Sequence, residues 1–243
     1  MDHVTVITGG SRGIGAATAA RLAAGGHRVA VAYQHAAAAA EAVVAAITGA
    51  GGAAVAVRAD TAVEDDVVRL FATAAAELGA VTGLVNNAGT TSTIGPFAEL
   101  ATADLRRVVD VNIVGAFLCA REATRVLPRG GAIVNVSSAA ATLGSPGEYI
   151  HYAASKAALD TLTIGLSKEL GPAGIRVNGV APGIIRTEIH AVSGDPDRAE
   201  RAGAGAPLGR PGEPAEVAEA IAWLLSPAAS YTTGTILRVA GGR

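Results

Sequence analysis

Tyr152 and Lys156, in the run His151-Tyr152-Ala153-Ala154-Ser155-Lys156, stand four residues apart. On a helix that spacing brings both side chains onto one face, with Cβ atoms about 5–6 Å apart. A free tyrosine hydroxyl, with a pKa near ~10, is no base at neutral pH, whereas a neighbouring ammonium favours the phenolate and pulls the value down. Bringing it to about 7 takes roughly 4 kcal/mol of differential stabilisation. One exposed ammonium supplies less, so the pair implies a buried site or a second cation such as a bound cofactor ring. The same spacing also occurs between surface neighbours that do no chemistry, so the elements that position the pair must decide.

Val4 to Thr8 reads as a short buried strand that runs into Gly9-Gly10-Ser11-Arg12-Gly13-Ile14-Gly15 and then an alanine-rich helical stretch reaching Ala24. In the order strand, glycine turn, helix, the glycines let the backbone approach a pyrophosphate, and the unpaired N–H groups at the helix N-terminus hold its charge. In a chain with 31 Gly, chance supplies about half a match to this GxxxGxG spacing. Its position carries the argument: the triplet stands at the first strand-to-helix turn and recurs nowhere else in the chain.

Further strand-like runs follow at 29–33, 54–58, 83–86, 132–137, 176–181 and 235–239, with stretches of helical period between them. The alternation predicts an α/β fold, a Rossmann-type doubly wound parallel sheet of about seven strands with helices on both faces. Ligands in such sheets bind beyond the strand C-termini, and Thr8, Asn86, Ser138 and Pro182 all fall at or just past predicted strand ends. No linker-like shift divides the chain, so 1–243 is expected to form a single domain. Segment 184–214 is polar, punctuated by Gly and Pro, and reads as a mobile lid over a substrate.

In order along the chain, Thr8 to Gly15, Asn86-Asn87-Ala88-Gly89, Asn112, Ser138, Tyr152 with Lys156, and Pro182-Gly183 followed by Thr187 resemble the motifs of the short-chain dehydrogenase/reductases in their short single-domain branch. The resemblance covers essentially the whole chain. The run Gly144 to Tyr149 and the ending from Thr233 to Gly242 look like the bacterial subgroup of glucose dehydrogenase-like and oxoacyl-carrier-protein reductase-like enzymes. Ala240 departs from that pattern, which commonly has an acid before the two glycines; a C-terminal contact is affected, not the chemistry.

The resemblance implies an oxidoreductase that moves a hydride between a nicotinamide and a carbonyl or secondary alcohol. Tyr152 is then the general acid in reduction and the base in oxidation. Lys156 lowers its pKa and hydrogen-bonds the nicotinamide ribose, Ser138 donates to the substrate oxygen, and Asn112 holds a water that links Lys156 to solvent. Ordinary alternatives stand beside these roles: Ser137 or Ser138 satisfying backbone groups at a strand end, and Asn112 marking a local irregularity in the helical run 102–127. For the cofactor, the resemblance points to Gly9, Ser11, Arg12, Gly13, Ile14 and Gly15 in the turn, and to Asp60 with Thr61 near the adenine. It adds Asn87, Ala88 and Gly89 beside the ribose, where Gly89 permits close approach, and Pro182, Gly183, Ile185 and Thr187 around the carboxamide. Asp60 is equally readable as a helix-leading acid, and Thr187 as a helix cap.

Cofactor choice rests on the end of the second strand. An enzyme selecting NAD usually places an acid there for the adenosine 2′-hydroxyl, and Val29-Ala30-Val31-Ala32-Tyr33-Gln34-His35 offers none. Arg12 can reach a 2′-phosphate as a fixed cation, with Gln34 and His35 donating beside it. NADP(H) is the expected cofactor, with NAD(H) as the permissive alternative. The rival enzyme is an NAD-dependent sugar dehydrogenase; the rival of another class is a dinucleotide-sensing binding protein, to which a proton-transfer set would be of no use.

Composition narrows the partners. At 243 residues with a net charge of −2 and few aromatics, the chain offers no basic stretch for nucleic acid. The span Ala36 to Val57 has only Glu41 charged, yet its Ala and Gly content reads as helix, turn and strand, not as a membrane span. A lone Cys119 forms no intramolecular disulfide, and the early first strand leaves no room for a signal peptide, so a cytoplasmic setting is expected. The five histidines show no metal-ligand spacing. The partners left are a small-molecule carbonyl or alcohol and copies of the chain itself; the apolar helical runs 102–127 and 151–170 match the family's pairing helices and suggest a homotetramer. Pocket walls expected from 90–97, 139–149 and the lid are mostly uncharged, with Arg186 and Arg198 as the cations worth locating and His190 as a lid residue. Trp223 reads as packing on the last helix.

Overall fold

The computed structural model describes residues 3–243. Seven strands alternate with helices: β1 (Val4–Ile7), α1 (Gly13–Ala24), β2 (Arg28–Tyr33), α2 (Ala37–Gly49), β3 (Ala53–Arg58), α3 (Glu64–Leu78), β4 (Gly83–Asn86), α4 (Thr102–Val109), α5 (Gly115–Val126), β5 (Ala132–Val136), α6 (Ala140–Leu143), α7 (Ile150–Leu170), β6 (Arg176–Pro182), α8 (Ile189–Val192), α9 (Arg198–Gly203), α10 (Pro214–Leu225) and β7 (Ile236–Val239). The sheet is parallel throughout, in the order β3-β2-β1-β4-β5-β6-β7. Strands β1, β4 and β5 are buried along their whole length, which is why they read as continuous apolar runs and not as alternating ones.

Both faces are covered. Leu70 and Phe71 of α3, Cys119 and Ala123 of α5 and Leu170 of α7 pack on one side with Leu84, Ile133 and Val177. Leu22 of α1, Ile47 of α2 and Ile221 and Leu224 of α10 pack on the other with Val31, Val85 and Val134. Because β1 is flanked by β2 on one side and β4 on the other, the chain leaves the sheet in opposite directions after β1 and β4. The resulting crevice at the C-terminal edge is where such sheets bind ligands.

Two expectations are refined. The helical run 102–127 is interrupted by a π-helical turn at Asp110–Val114 that carries Asn112, the irregularity that a lone helical Asn foreshadows. The segment 184–214 contains α8 and α9, is closed at its base by a bridge between its own ends, Ile185 and Gly212, and ends where a Glu213/Glu216 capping box starts α10. Trp223 does not pack inside: it is 41% exposed on α10. No helix among the described residues is long and apolar enough to cross a membrane.

Candidate active site

Thr8, just past β1, joins the two diverging loops. Asn87 N and Ala88 N both donate to Thr8 Oγ1 at 2.9 Å, and Asn87 Nδ2 donates to the carbonyls of Thr8 and Gly9 at 2.9 and 3.1 Å. Gly9 and Gly13 adopt φ of +62° and +52°, the left-handed region that glycine enters at no steric cost. A Cβ on Gly15 would lie 2.2 Å from the Gly9 carbonyl oxygen, so α1 begins directly against the turn. No side chain caps α1 and no acid stands in its first turn. Its orphan N–H groups and positive dipole end therefore remain available to an anion.

A cleft of about 1250 Å³ runs from this turn along the sheet edge. Every expected site residue lines it except Gly15, packed under the turn, and Asn112, fully buried behind it. The cleft thus brings Gly9, Ser11, Arg12, Gly13, Ile14, Gln34, His35, Asp60, Thr61, Asn87, Ala88 and Gly89 together with Ser138, Tyr152, Lys156, Pro182, Gly183, Ile185 and Thr187. Phe97, at the far end of an expected pocket wall, is exposed outside it.

Tyr152 and Lys156 lie one turn apart on α7, as their spacing requires. The ammonium, however, turns to the Val136 carbonyl at 2.8 Å and stands 5.8 Å from the Tyr152 ring centroid. Burial pushes the phenol up to about 12, with Tyr149 adding to the rise, while Ser138 by hydrogen bonding and Arg198 by its charge pull it down. Burial pushes Lys156 down to about 8 against the opposing pull of Asp160. Desolvation dominates both groups in the cofactor-free protein, and Lys156 by itself does not lower the phenol. Ser138 Oγ accepts from Ala140 N at 3.1 Å, which orients the hydroxyl at the end of β5. The neighbouring Ser137 is spent on the Lys156 carbonyl at 3.1 Å.

Asn112 acts as a brace. Its Oδ1 accepts from Thr90 N at 2.8 Å, and its Nδ2 donates to Thr90 O and to Ser155 Oγ, each at 2.9 Å. Both amide donors are spent on protein, so a water at this point would have to donate to Oδ1 or to the main-chain carbonyl. The braced loop matters because a Cβ on Gly89 would sit 3.2 Å from Lys156 Nζ and 3.6 Å from Asn112 Oδ1.

At the adenine end Gln34 and Asp60 meet. Gln34 Nε2 donates to Asp60 Oδ2 at 2.6 Å, which engages one of its two amide N–H groups and leaves the other for a ligand. Asp60 also receives Ala62 N at 3.0 Å, the loop-stabilising role of an acid ahead of a helix. Arg12 is exposed, and Arg58 Nε donates to the Gln34 carbonyl at 3.3 Å, bringing a second cation to the end of β2. Thr187 caps nothing: Glu188 is the N-cap residue of α8, and Thr187 Cγ2 lies 3.1 Å from where a Gly13 Cβ would stand. The base of the lid thus touches the glycine turn.

The lid cations separate. Arg186 is exposed and paired with Glu200 and Glu213, outside the cleft. Arg198 lies inside it, 5% exposed. His190 is buried, with Nε2 bonded to the Ile185 carbonyl at 2.8 Å; it stabilises the lid base and is not a solvated loop residue. Cys119 is buried, and burial pushes its thiol up to about 12, which makes it an inert core group. Residues that sequence reading passed over are Thr8 as the loop clamp, Ser155 beneath Asn112, Asp160 beside Lys156, and Ser92, whose Oγ is 2.9 Å from His151 Nε2. Asp160 repeats the four-residue spacing on α7, a signal that was legible; the others depend on contacts between distant segments.

Residues 9–243 match the family described as Enoyl-(Acyl carrier protein) reductase. The chain is 49% identical over 245 residues to "Uncharacterized oxidoreductase YgfF" of Escherichia coli K12, with 99% of each covered. A crystal structure of a dehydrogenase/reductase from Sinorhizobium meliloti superimposes with a TM-score of 0.93 at 41% identity, covering 99% of this chain and 94% of that one. A short chain dehydrogenase from Burkholderia cenocepacia, crystallised in complex with NADP, gives 0.91 at 37% identity, covering 99% and 97%.

Proposed function

The chain belongs to the short-chain dehydrogenase/reductase family, and from that premise we propose that this oxidoreductase uses NADP(H) to interconvert a carbonyl and a secondary alcohol, with Tyr152 as the acid/base. The observation that carries the reading is convergence: Ser138, Tyr152 and Lys156 share one cleft with the uncapped end of α1 and with Gly89. The cradle fits a dinucleotide. The α1 N-terminus offers N–H groups to the pyrophosphate, Asn87 to Gly89 border the ribose, and Pro182 to Thr187 border the nicotinamide. When bound, that group supplies or accepts the hydride.

The chain's own residues handle the proton. Ser138 Oγ donates to the oxygen of the reacting carbon and holds it beside the phenol. With its pKa pushed up to about 12, Tyr152 carries its proton at neutral pH and gives it to the forming alkoxide. Oxidation of an alcohol needs the phenolate, a form that a cationic nicotinamide ring, when bound, would favour. Lys156 stands by as the nearest ammonium on the same helix face and, beside Gly89, as the donor aimed at the ribose.

Arg12, with Arg58 behind it, supports a 2′-phosphate and hence NADP(H). Asp60, brought to the end of β2 by Gln34, favours the second reading, an NAD-dependent sugar dehydrogenase whose carboxylate accepts from a 2′-hydroxyl. Exposed Val114 in the π-helical turn, Phe117 and Val126 on α5 and Ile164 on α7 support self-association, as a homotetramer in the cytoplasm, which light scattering at micromolar concentration checks. The decisive test of the chemistry is Tyr152→Phe assayed on a panel of ketones, sugars and acyl thioesters with both nicotinamides. The expected loss is about 10²–10⁴-fold in kcat with NADPH binding retained; near wild-type turnover rejects the mechanism.

A further inference from the structure

Resting on the reading of Tyr152 as proton donor, we infer that the pocket beyond it selects substrates bearing a carboxylate remote from the reacting carbonyl, and that Arg198 receives that carboxylate. Arg198 lies on the lid helix α9, 5% exposed and lining the cleft. Its guanidinium carbon stands 5.2 Å from the Tyr149 ring centroid, and that ring meets the Tyr152 ring edge-on at 5.2 Å. One aromatic ring therefore separates the cation from the proton donor, which sets the carboxylate several bonds away from the carbonyl.

Half of the fork is engaged. Nη2 donates to Glu148 Oε2 at 2.6 Å, whereas Nη1 is buried with no hydrogen-bond partner. Arginine has no acceptor function and cannot discharge by losing a proton. A buried donor left unpaired is retained against a cost that an incoming acceptor removes. A carboxylate oxygen is the acceptor that a planar guanidinium N–H pair matches best. Nη1 is shielded from solvent in this arrangement, so a substrate carboxylate reaches it only as α9 shifts to admit it.

Glu148 offsets one cation, and its side chain is 37% exposed, turning part of its field to water. Arg243 and Glu188 both line the same cleft, so the unpaired Nη1, and not an excess of positive charge, is what a carboxylate answers. Leu143, Pro146, Ile189 and Val192 also line the cleft, apolar surfaces suited to the hydrocarbon spacer between carbonyl and carboxylate. Arg186, paired outside the cleft, offers no competing site.

The test compares reduction of 4-oxocyclohexanecarboxylate with that of its neutral methyl ester. In the wild type the acid is expected to exceed the ester by about tenfold or more in kcat/KM, chiefly through KM, and the advantage should shrink with added salt. Arg198→Met should abolish the ratio, Arg198→Lys should leave it intermediate, and Glu148→Gln should raise it by freeing the second edge of the fork. NADPH fluorescence titration checks that each variant is folded; should Arg198→Met fail it, the ratios of the other two variants decide. An ester reduced as well as the acid by the wild type, or a ratio that Arg198→Met or Glu148→Gln leaves unchanged, overturns the assignment. Reduction of other ketones but of neither probe also overturns it, while inactivity of the wild type toward every ketone with either nicotinamide strikes the proposed function itself.

Discussion

Removing the Asn112 amide with Asn112→Ala tests whether the π-helical turn exists to hold the loop beside Lys156. The side chain makes three hydrogen bonds, two to the Thr90 backbone and one to Ser155 Oγ, and is fully buried. Each such bond contributes about 1 kcal/mol net, and a buried group left unpaired costs about 1–3 kcal/mol. A water entering the vacated space recovers part of this, so we expect a net loss of about 2–4 kcal/mol. For a domain of this size each kcal/mol lowers Tm by about 2–4 °C, which places the fall at roughly 5–15 °C in the cofactor-free protein. Releasing Thr90 also frees Gly89 to shift against Lys156 Nζ. A displacement of that kind, on the order of 1 Å, costs up to about 10²-fold in turnover. Thermal melting by circular dichroism and steady-state kinetics on the same preparation read both effects. A Tm within about 2 °C of wild type would show that Asn112 is no brace, and the role assigned to the π turn would fall with it.

Gly15→Ala places a Cβ 2.2 Å from the Gly9 carbonyl oxygen, so the turn must open; NADPH affinity by fluorescence quenching should fall at least about tenfold, and unaltered affinity would contradict the packing. Arg12→Ala should lower the kcat/KM preference for NADPH over NADH by about ten- to a hundredfold, the worth of a charge-assisted contact; an unchanged ratio, or equal efficiencies in the wild type, removes Arg12 as the phosphate ligand. Lys156 bears on stability: its folded pKa is lowered from 10.5 to about 8, so between those values the unfolded chain binds more protons and stability rises with pH. Urea midpoints of wild type minus Lys156→Met should therefore climb between pH 8 and 10.5. A flat or falling difference shows that the ammonium is not desolvated by folding.

The sheet and the cradle were legible in the sequence because their signals are local. The run Val4 to Thr8 followed by Gly9, Gly13 and Gly15 specifies strand, turn and helix within a few residues, and positive φ at Gly9 and Gly13 is a conformation most other residues resist. The helical period likewise places Tyr152 above Lys156 wherever α7 packs. What the sequence left open was decided by competition among side chains that only folding brings together. Gln34 meets Asp60, 26 positions away, with one of its two amide donors. Lys156 Nζ, 5.8 Å from the Tyr152 ring centroid, bonds the Val136 carbonyl of the neighbouring strand. Arg186 and Arg198 carry the same charge on the same lid, yet one meets Glu200 and Glu213 at the surface and the other meets Glu148, 50 positions earlier, under Tyr149. Propensity and periodicity act over a turn or a strand, whereas hydrogen bonds and ion pairs are settled by distance and desolvation between segments far apart in the chain.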